Sequence, residues 1–322
     1  MKEVVFNTWP GAFFHPGGGE VQLLNSKLEL EKLNYSISMY DNWKPQSKNI
    51  QIYHQFSIEP GTESVMYAYK ELGVKIVLSP IMWNLFSADH LRYRPVKNMF
   101  EWADVLMTNS KAESIRLSDS FAIPLHKFSE TRNSISEEYL NTNVDKDFRK
   151  EYSLPDKFIL TVANVDNRKN THRLINACKK QDLPLVIIGA IRETKYYENL
   201  KSIFDKAFFL GNITDTMILK SAYQQCYLFA LPSLCETPGI SALEAMSQGA
   251  RIVITSVGAT QEYFKDYVTY VDPLSEESIV EGFEIELKRE RDLEENRNYI
   301  LENFTWTKTA KDIERGYLKL FK

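Results

Sequence analysis

Two carboxylates eight residues apart, Glu236 and Glu244, stand out as groups that could do chemistry. They lie in the stretch YLFALPSLCETPGISALEAMSQGARIVITSVGATQEY, residues 227–263. Its pattern predicts a strand over 228–231, a loop over 233–238, a helix closed by Gln248-Gly249, and a second strand over 251–255. Thr237 is placed to cap that helix and Pro238 to sit in its first turn. Glu236 falls in the loop. Glu244 falls inside the helix, beside the apolar stripe of Ile240, Leu243 and Met246. A carboxylate so placed is partly desolvated and needs donors, which the vicinal hydroxyls of a ribose supply. The amides of Gly239 and Ile240 at the helix start suit a diphosphate. Phosphate at the helix tip, ribose on Glu244 and a sugar on Glu236 describe a nucleotide-sugar site. The competing reading is an ordinary strand–helix–strand unit with two solvated glutamates.

Other candidates lie at predicted strand ends. After the strand 158–162 comes Asn164, then Arg168 and Lys169, just ahead of a helix near Thr171. Lys169 can reach a diphosphate and neutralise a departing group, or it is a surface lysine. Between the strand 4–7 and the helix 20–33, Gly18 and Gly19 form a turn that lets backbone amides approach a phosphate, or a plain flexible turn. His54 ends another strand and fits either a sugar or phosphate contact or a satisfied structural imidazole. Ser79 and Trp83 follow the next strand. Residues 84–102 mix His90, Arg92, Arg94 and Lys97 with Phe86, Tyr93 and Phe100. Such a segment suits anionic lipid or a charged acceptor, or a solvated loop and helix face.

The elements that must carry these groups alternate. Strand patterns at 35–40, 50–54, 74–79, 104–109, 158–162, 183–188 and 208–210 are separated by helical ones. That predicts α/β with parallel sheets covered on both faces, ligands gathering at the strands' C-terminal ends. The polar run 141–155, ending in Pro155, reads as the domain join. At 322 residues, 43% apolar and 25% charged, the chain suits two globular domains. A net charge of −4 gives no basis for bulk nucleic-acid binding. Three cysteines without ligand-like spacing and five histidines without clustering predict reduced thiols and no metal. No leader pattern and no apolar run near the roughly 20 residues of a membrane span is visible, so a cytoplasmic protein is expected.

Pro232, Ser233, Glu236, Gly239, Glu244, Ala245, Met246 and Gly249 together resemble the E-x7-E signature of retaining glycosyltransferases of the GT4 family. Lys169-Asn170 resembles the end of that family's G-R-x-x-x-x-K-N motif, and Gly258 to Glu262 its Gly-Gly-x-x-Glu loop. The resemblance implies the GT-B architecture: two doubly wound Rossmann-like domains facing across a cleft. They would be an acceptor-side domain at 1–150 and a nucleotide-sugar domain at 151–306, with 307–322 packing back on the first. It implies transfer of a sugar from a nucleoside-diphosphate donor to a hydroxyl of a glycan or lipid-linked saccharide, with retention and without metal or cofactor. Peripheral contact with a membrane's inner face follows only from such an acceptor. Glu236 and Lys169 would be catalytic. Gly18, Gly19, Asn164, Arg168, Lys169, Gly189, Pro238, Gly239, Ile240, Glu244 and Gly258 would hold the donor. His54, Ser79 and Trp83 would meet sugar or acceptor. The family's histidine near the sugar is missing, and Asn164 stands where its first phosphate-binding cation is expected. These departures keep open a non-catalytic glycosyltransferase-like partner subunit or glycan-binding protein, and because a fold does not fix function a nucleotide-sugar epimerase on the same architecture is a second alternative.

Overall fold

The computed structural model describes residues 2–14, 16–59, 61–83 and 94–321 (of 94–96, the backbone only). The chain divides into two compact units, Met1–Ser134 with Trp306–Lys322, and Ile135–Thr305. The first holds β1 (Lys2–Asn7), β2 (Tyr35–Met39), β3 (Ile52–Phe56), β4 (Lys75–Ser79), β5 (Val105–Thr108) and β6 (Phe128–Glu130). They form one sheet in the order β2-β1-β3-β4-β5-β6. The second holds β7 (Ile159–Val162), β8 (Leu185–Ile188), β9 (Ala207–Phe209), β10 (Leu228–Leu231), β11 (Ile252–Thr255) and β12 (Thr269–Val271). Their order is β12-β11-β10-β7-β8-β9. Neighbouring strands in both sheets pair in parallel.

Parallel strands need crossover helices, and those helices cover both faces. In the first unit they are α1 (Gly18–Lys32), α2 (Glu63–Glu71), α3 (Arg94–Trp102) and α4 (Lys111–Phe121). The second has α5 (Phe148–Glu151), α6 (Thr171–Lys180), α7 (Thr194–Leu200), α8 (Thr216–Gln225), α9 (Ile240–Ser247), α10 (Thr260–Phe264), α11 (Glu276–Lys288) and α12 (Leu293–Asn303). The last helix, α13 (Trp306–Lys319), belongs to the first unit. Strand residues alternate between two cores. Phe229 and Leu231 pack with α8, α9 and α12, while Leu228 and Ala230 pack with α6 and α11. Likewise Val5 faces α2 and α3, and Val4 and Phe6 face α1 and α13. Inner strands such as β1, β8, β10 and β11 are therefore apolar on both sides and read as short continuous runs, whereas the edge strands β2 and β6 carry exposed polar residues.

The polar run 141–155, read as a join, lies inside the second unit. Phe148 is fully buried, the Ser221 hydroxyl accepts its N–H, and Lys220 Nζ donates to Asn141 Oδ1 (2.8 Å) and the Asn143 carbonyl (2.9 Å). Its polar residues serve local packing, so composition imitated a linker. Among the described residues no helix is long and apolar enough to cross a membrane. Residues 84–93, which carry most of the basic and aromatic side chains weighed for lipid contact, lie outside the described residues.

The structure corrects the readings of His54 and Ser79. His54 has no exposure, and its ring nitrogens meet Tyr317 Oη of α13 (2.7 Å) and Ser79 Oγ (2.8 Å). The ring stacks on Phe56. Both nitrogens are engaged inside the packing of α13, so neither residue presents a polar group to a sugar. Burial pushes the imidazole pKa down to about 3. Between its unfolded value near 6.5 and that figure, the unfolded chain binds a proton the folded one does not, so stability is lost as pH falls. Relative to His54→Gln, the wild type is expected to lose about 1.4 kcal/mol between about pH 7.5 and about pH 5.5 in urea titrations. Tyr317→Phe, which leaves one buried ring nitrogen unpaired, is expected to cost about 1–3 kcal/mol at the higher pH. Parallel curves for wild type and His54→Gln would remove the imidazole from this account.

Candidate active site

In the second sheet the strand order reverses direction between β7 and β10. The crevice beyond the C-terminal ends of such strands is where doubly wound sheets bind ligands. The loops after these two strands carry Lys169 and Glu236, and the fold joins them: Lys169 Nζ lies 2.5 Å from Glu236 Oε1. Both are nearly enclosed, with side-chain exposures of 14% and 5%. Burial alone would raise the Glu236 carboxyl. The charges of Lys169 and Arg168, with the Lys169 hydrogen bond, overcome that and hold it below the ordinary carboxylate value.

Local chemistry fixes both loops. Asp166 caps the short turn Asn167–Lys169, its Oδ1 accepting the Lys169 N–H at 2.9 Å. Asn170 follows in the left-handed conformation (φ 59°), which asparagine tolerates. Its buried Nδ2 donates to the carbonyls of Pro232 (2.8 Å) and Pro273 (2.7 Å). The Leu234 N–H donates to the Arg168 carbonyl at 2.9 Å. Three strands' loops are thus tied together at one point. Glu236 is also held from behind, where its carbonyl accepts the Ala259 N–H at 2.9 Å. Gly258, with φ +109°, lies so close that a Cβ would stand 2.0 Å from that carbonyl oxygen. Gly189 does the same for the other loop, a Cβ there meeting the Ala163 carbonyl oxygen at 2.0 Å. These two glycines permit close backbone approach within the protein, a physical role distinct from the donor contact expected of them.

Helix α9 begins directly after the Glu236 loop. Its cap is Gly239 (φ +93°), not Thr237, and the cis peptide Thr237–Pro238 precedes it. A Cβ at Gly239 would lie 3.5 Å from Glu236 Cγ, so the helix start abuts the glutamate. Pro238 therefore sits outside the first turn. Ile240 is the first helical residue.

Glu244 is held apart from the Lys169–Glu236 pair. Tyr223 Oη of α8 donates to its Oε2 at 2.9 Å. Burial pushes its carboxyl up to about 7, partly offset by hydrogen bonds from Tyr223 and Tyr139. The partners expected from a ribose are supplied here by tyrosine hydroxyls. Asn164, with its amide oxygen turned towards the guanidinium, accepts from Arg192 Nε (3.0 Å) and Nη2 (3.2 Å). A guanidinium from the loop after β8 thus stands beside position 164.

The remaining candidates belong to the first unit. Gly18 and Gly19 are not a loop but the first turn of α1, whose start is closed by Glu20 accepting the Gly17 N–H at 2.7 Å. Trp83, half-buried, receives the Arg116 guanidinium over its ring at 5.1 Å. Sequence reading passed over Asn170 as a positioning residue, and over Tyr223 and Arg192. Asn170 had a visible signal, an asparagine between a short turn and a helix. Tyr223 and Arg192 had none, because their roles arise between different elements: Tyr223 of α8 against Glu244 of α9, and Arg192 after β8 against Asn164 after β7.

Comparison with known proteins places this geometry. Residues 144–303 match the model of the family described as glycosyl transferases group 1. A glycosyltransferase of Methanocaldococcus jannaschii is 32% identical over 186 residues, which are 53% of this chain and 47% of that protein. The serotype-specific mannosyltransferase WbdA of Escherichia coli is 25% identical over 240 residues, 69% of this chain and 29% of WbdA. The chain thus spans about half the length of the first relative and under a third of the second. The crystal structure of Anabaena HepE in complex with UDP superposes with a TM-score of 0.79 at 15% identity, over 99% of this chain and 100% of that one. At that identity the likeness shows the fold, which is GT-B. Over residues 144–303, the half that carries Lys169, Glu236 and Glu244, the chain belongs to the glycosyl transferases group 1 family.

Proposed function

We propose that the protein transfers a sugar from a nucleoside-diphosphate donor to a hydroxyl of a glycan or lipid-linked saccharide, retaining the anomeric configuration and using no metal. The observation that carries this reading is the buried Lys169–Glu236 pair at the β7/β10 switch point, abutting the start of α9. Without a ligand the two charges satisfy each other. A bound donor offers each a better partner: a diphosphate for Lys169 and a sugar hydroxyl for Glu236. Arg168, Arg192 and the α9 amides add positive potential for the departing diphosphate. The bond from the anomeric carbon to the phosphate oxygen breaks with oxocarbenium character. The acceptor oxygen enters from the same face, and its proton passes to the phosphate oxygen that leaves. The UDP bound by the Anabaena neighbour supports a uridine donor, and the mannosyltransferase relative supports a hexose. The partner-subunit reading drew on the neutral Asn164, and the Arg192 guanidinium on that amide removes much of its motive.

Lys169→Ala is expected to slow donor turnover about 10²–10³-fold. It also strands a buried carboxylate, costing about 3–5 kcal/mol of stability. Lys169→Ala with Glu236→Gln should recover much of that stability and none of the turnover, which separates a chemical from a structural role. Recovery of turnover in the double variant would remove the pair from the mechanism. Arg192→Ala should weaken donor binding about tenfold, as loss of one charge-assisted phosphate contact predicts. Unchanged UDP affinity by calorimetry would exclude it.

Glu244 makes a pH-dependent test. Ionised, it accepts two ribose hydroxyls; protonated, it loses acceptor capacity. With its pKa raised to about 7, donor affinity should fall as pH drops through that value, and the fall should vanish in Glu244→Gln. A pH profile identical in the two proteins would take the ribose away from Glu244.

A further inference from the structure

The first unit has its own reversal of strand order, between β1 and β3. Beyond the C-terminal ends of β1 and β2 and beside the start of α2 lies a cavity of about 1070 Å3. None of the residues placed above in donor binding or catalysis lines it. We propose that this cavity binds an oligosaccharide, with the indole of Trp43 as the platform for one sugar ring.

Three observations carry the proposal. The first is Trp43 itself, which lines the cavity and is 92% exposed. An indole left in water is costly unless something covers it. The second is that the loop carrying it is built rather than loose. Asp41 Oδ1 accepts the Trp43 N–H at 2.9 Å, and Gln46 Nε2 donates to the carbonyls of Asp41 and Lys44, both at 2.8 Å. Gln46 Oε1 in turn accepts from Tyr69 Oη at 2.8 Å, and the Tyr69 ring stacks on buried Tyr53 at 4.6 Å. The chain from core to loop fixes the backbone that carries the indole, so little loop-ordering entropy is spent when the ring is covered.

The third is the chemistry around the ring. Asn7, Thr8, Asn42, Thr62 and Ser64 bring amides and hydroxyls to the wall. Among the described lining residues the charged ones, Asp41 and Lys44, pair with each other at 3.0 Å and cancel. An aromatic face, uncharged hydrogen-bonding groups and neutral balance suit a pyranose, whose C–H face is apolar and whose rim is hydroxyl. They do not suit a phosphate or a charged peptide. The volume exceeds the roughly 300–1,000 Å3 typical of drug-sized ligands, which leaves room for more than one sugar. Because this rests on the transferase reading, the bound oligosaccharide is the acceptor.

The test is acrylamide quenching of tryptophan emission in wild type and Trp43→Ala, with and without maltotriose, mannotriose or chitotriose at millimolar concentration. The wild type should show a quenchable component that one trisaccharide shields and that Trp43→Ala lacks. Affinity for that trisaccharide should fall about tenfold or more in the variant, as loss of a central aromatic contact predicts. Urea midpoints of the two proteins should agree, since the removed ring is exposed. Shielding that survives in Trp43→Ala overturns the proposal. So does shielding by phosphatidylglycerol vesicles with none by any trisaccharide, which would make this a lipid contact. Stabilisation by UDP-sugars run in parallel separates the two claims. If UDP-sugars bind and no trisaccharide shields Trp43, this inference alone fails. If neither binds, the transferase reading fails with it.

Discussion

A carboxylate nearly out of contact with water must be answered by a cation, and in the second unit that requirement organises the loops. Glu236 meets Lys169 at 2.5 Å, and almost every constraint nearby holds one or the other. Asp166 and Asn170 fix the lysine's turn, while Gly258 and Ala259 fix the glutamate's backbone. Such pairs are poor devices for stability, since apolar residues of similar volume often do as well or better. A pair this costly, placed where two strands diverge, makes sense when each member has a second partner to accept. The ligand then inherits a site whose desolvation and geometry were settled during folding.

The two sheets apply one topological rule to different chemistry. Each opens a crevice where its strand order reverses, and in each the loops beyond the strand ends line it. In the second unit those loops bring cations and a helix start. In the first they bring an indole, amides and one self-cancelling ion pair. The same division shows in the buried titratable groups. His54 is kept neutral by burial and disfavours acid, whereas the raised pKa of Glu244 disfavours its ionised form and is relieved by acid. Between the unfolded carboxylate range and neutrality these contributions oppose each other, one in each unit. A flat pH–stability profile of the whole chain would therefore conceal two sloping ones.

What was legible in the sequence follows from how local each feature is. The alternation of strands and helices survives because apolar runs flanked by turns depend on nearby residues alone. The Glu236 and Lys169 loops were legible because proline, glycine and charge cluster within a few positions. The two readings of His54 could not be separated in sequence, because a histidine expected at a strand end looks the same whether or not the strand runs on to Phe56 and a distant helix covers it, and Tyr317 is 263 residues away. The 141–155 run was misread as a join because composition registers polarity but not its partners, which here are on α8. Trp43 carried no pattern at all. Only the cavity beside it and the hydrogen bonds beneath it give its exposure a meaning.

Asn164 shows the limit of reading a site position by position. Taken alone it is a lost charge, and a lost charge in a phosphate site argues against catalysis. The fold changes the sum, because β7 and β8 are adjacent and parallel, so the loops that leave them run side by side. Val165 and Ile191 form a bridge there, and the Arg192 N–H donates to the Val165 carbonyl at 3.1 Å. Arg192 is thereby fixed beside Asn164, and a short amide there is what receives its guanidinium. An arginine at 164 would have met it as a like charge, so the neutral residue and the displaced cation are two halves of one arrangement. A charge expected at one position can stand instead as a field at the same place, and neighbouring strands give the chain more than one residue that can supply it.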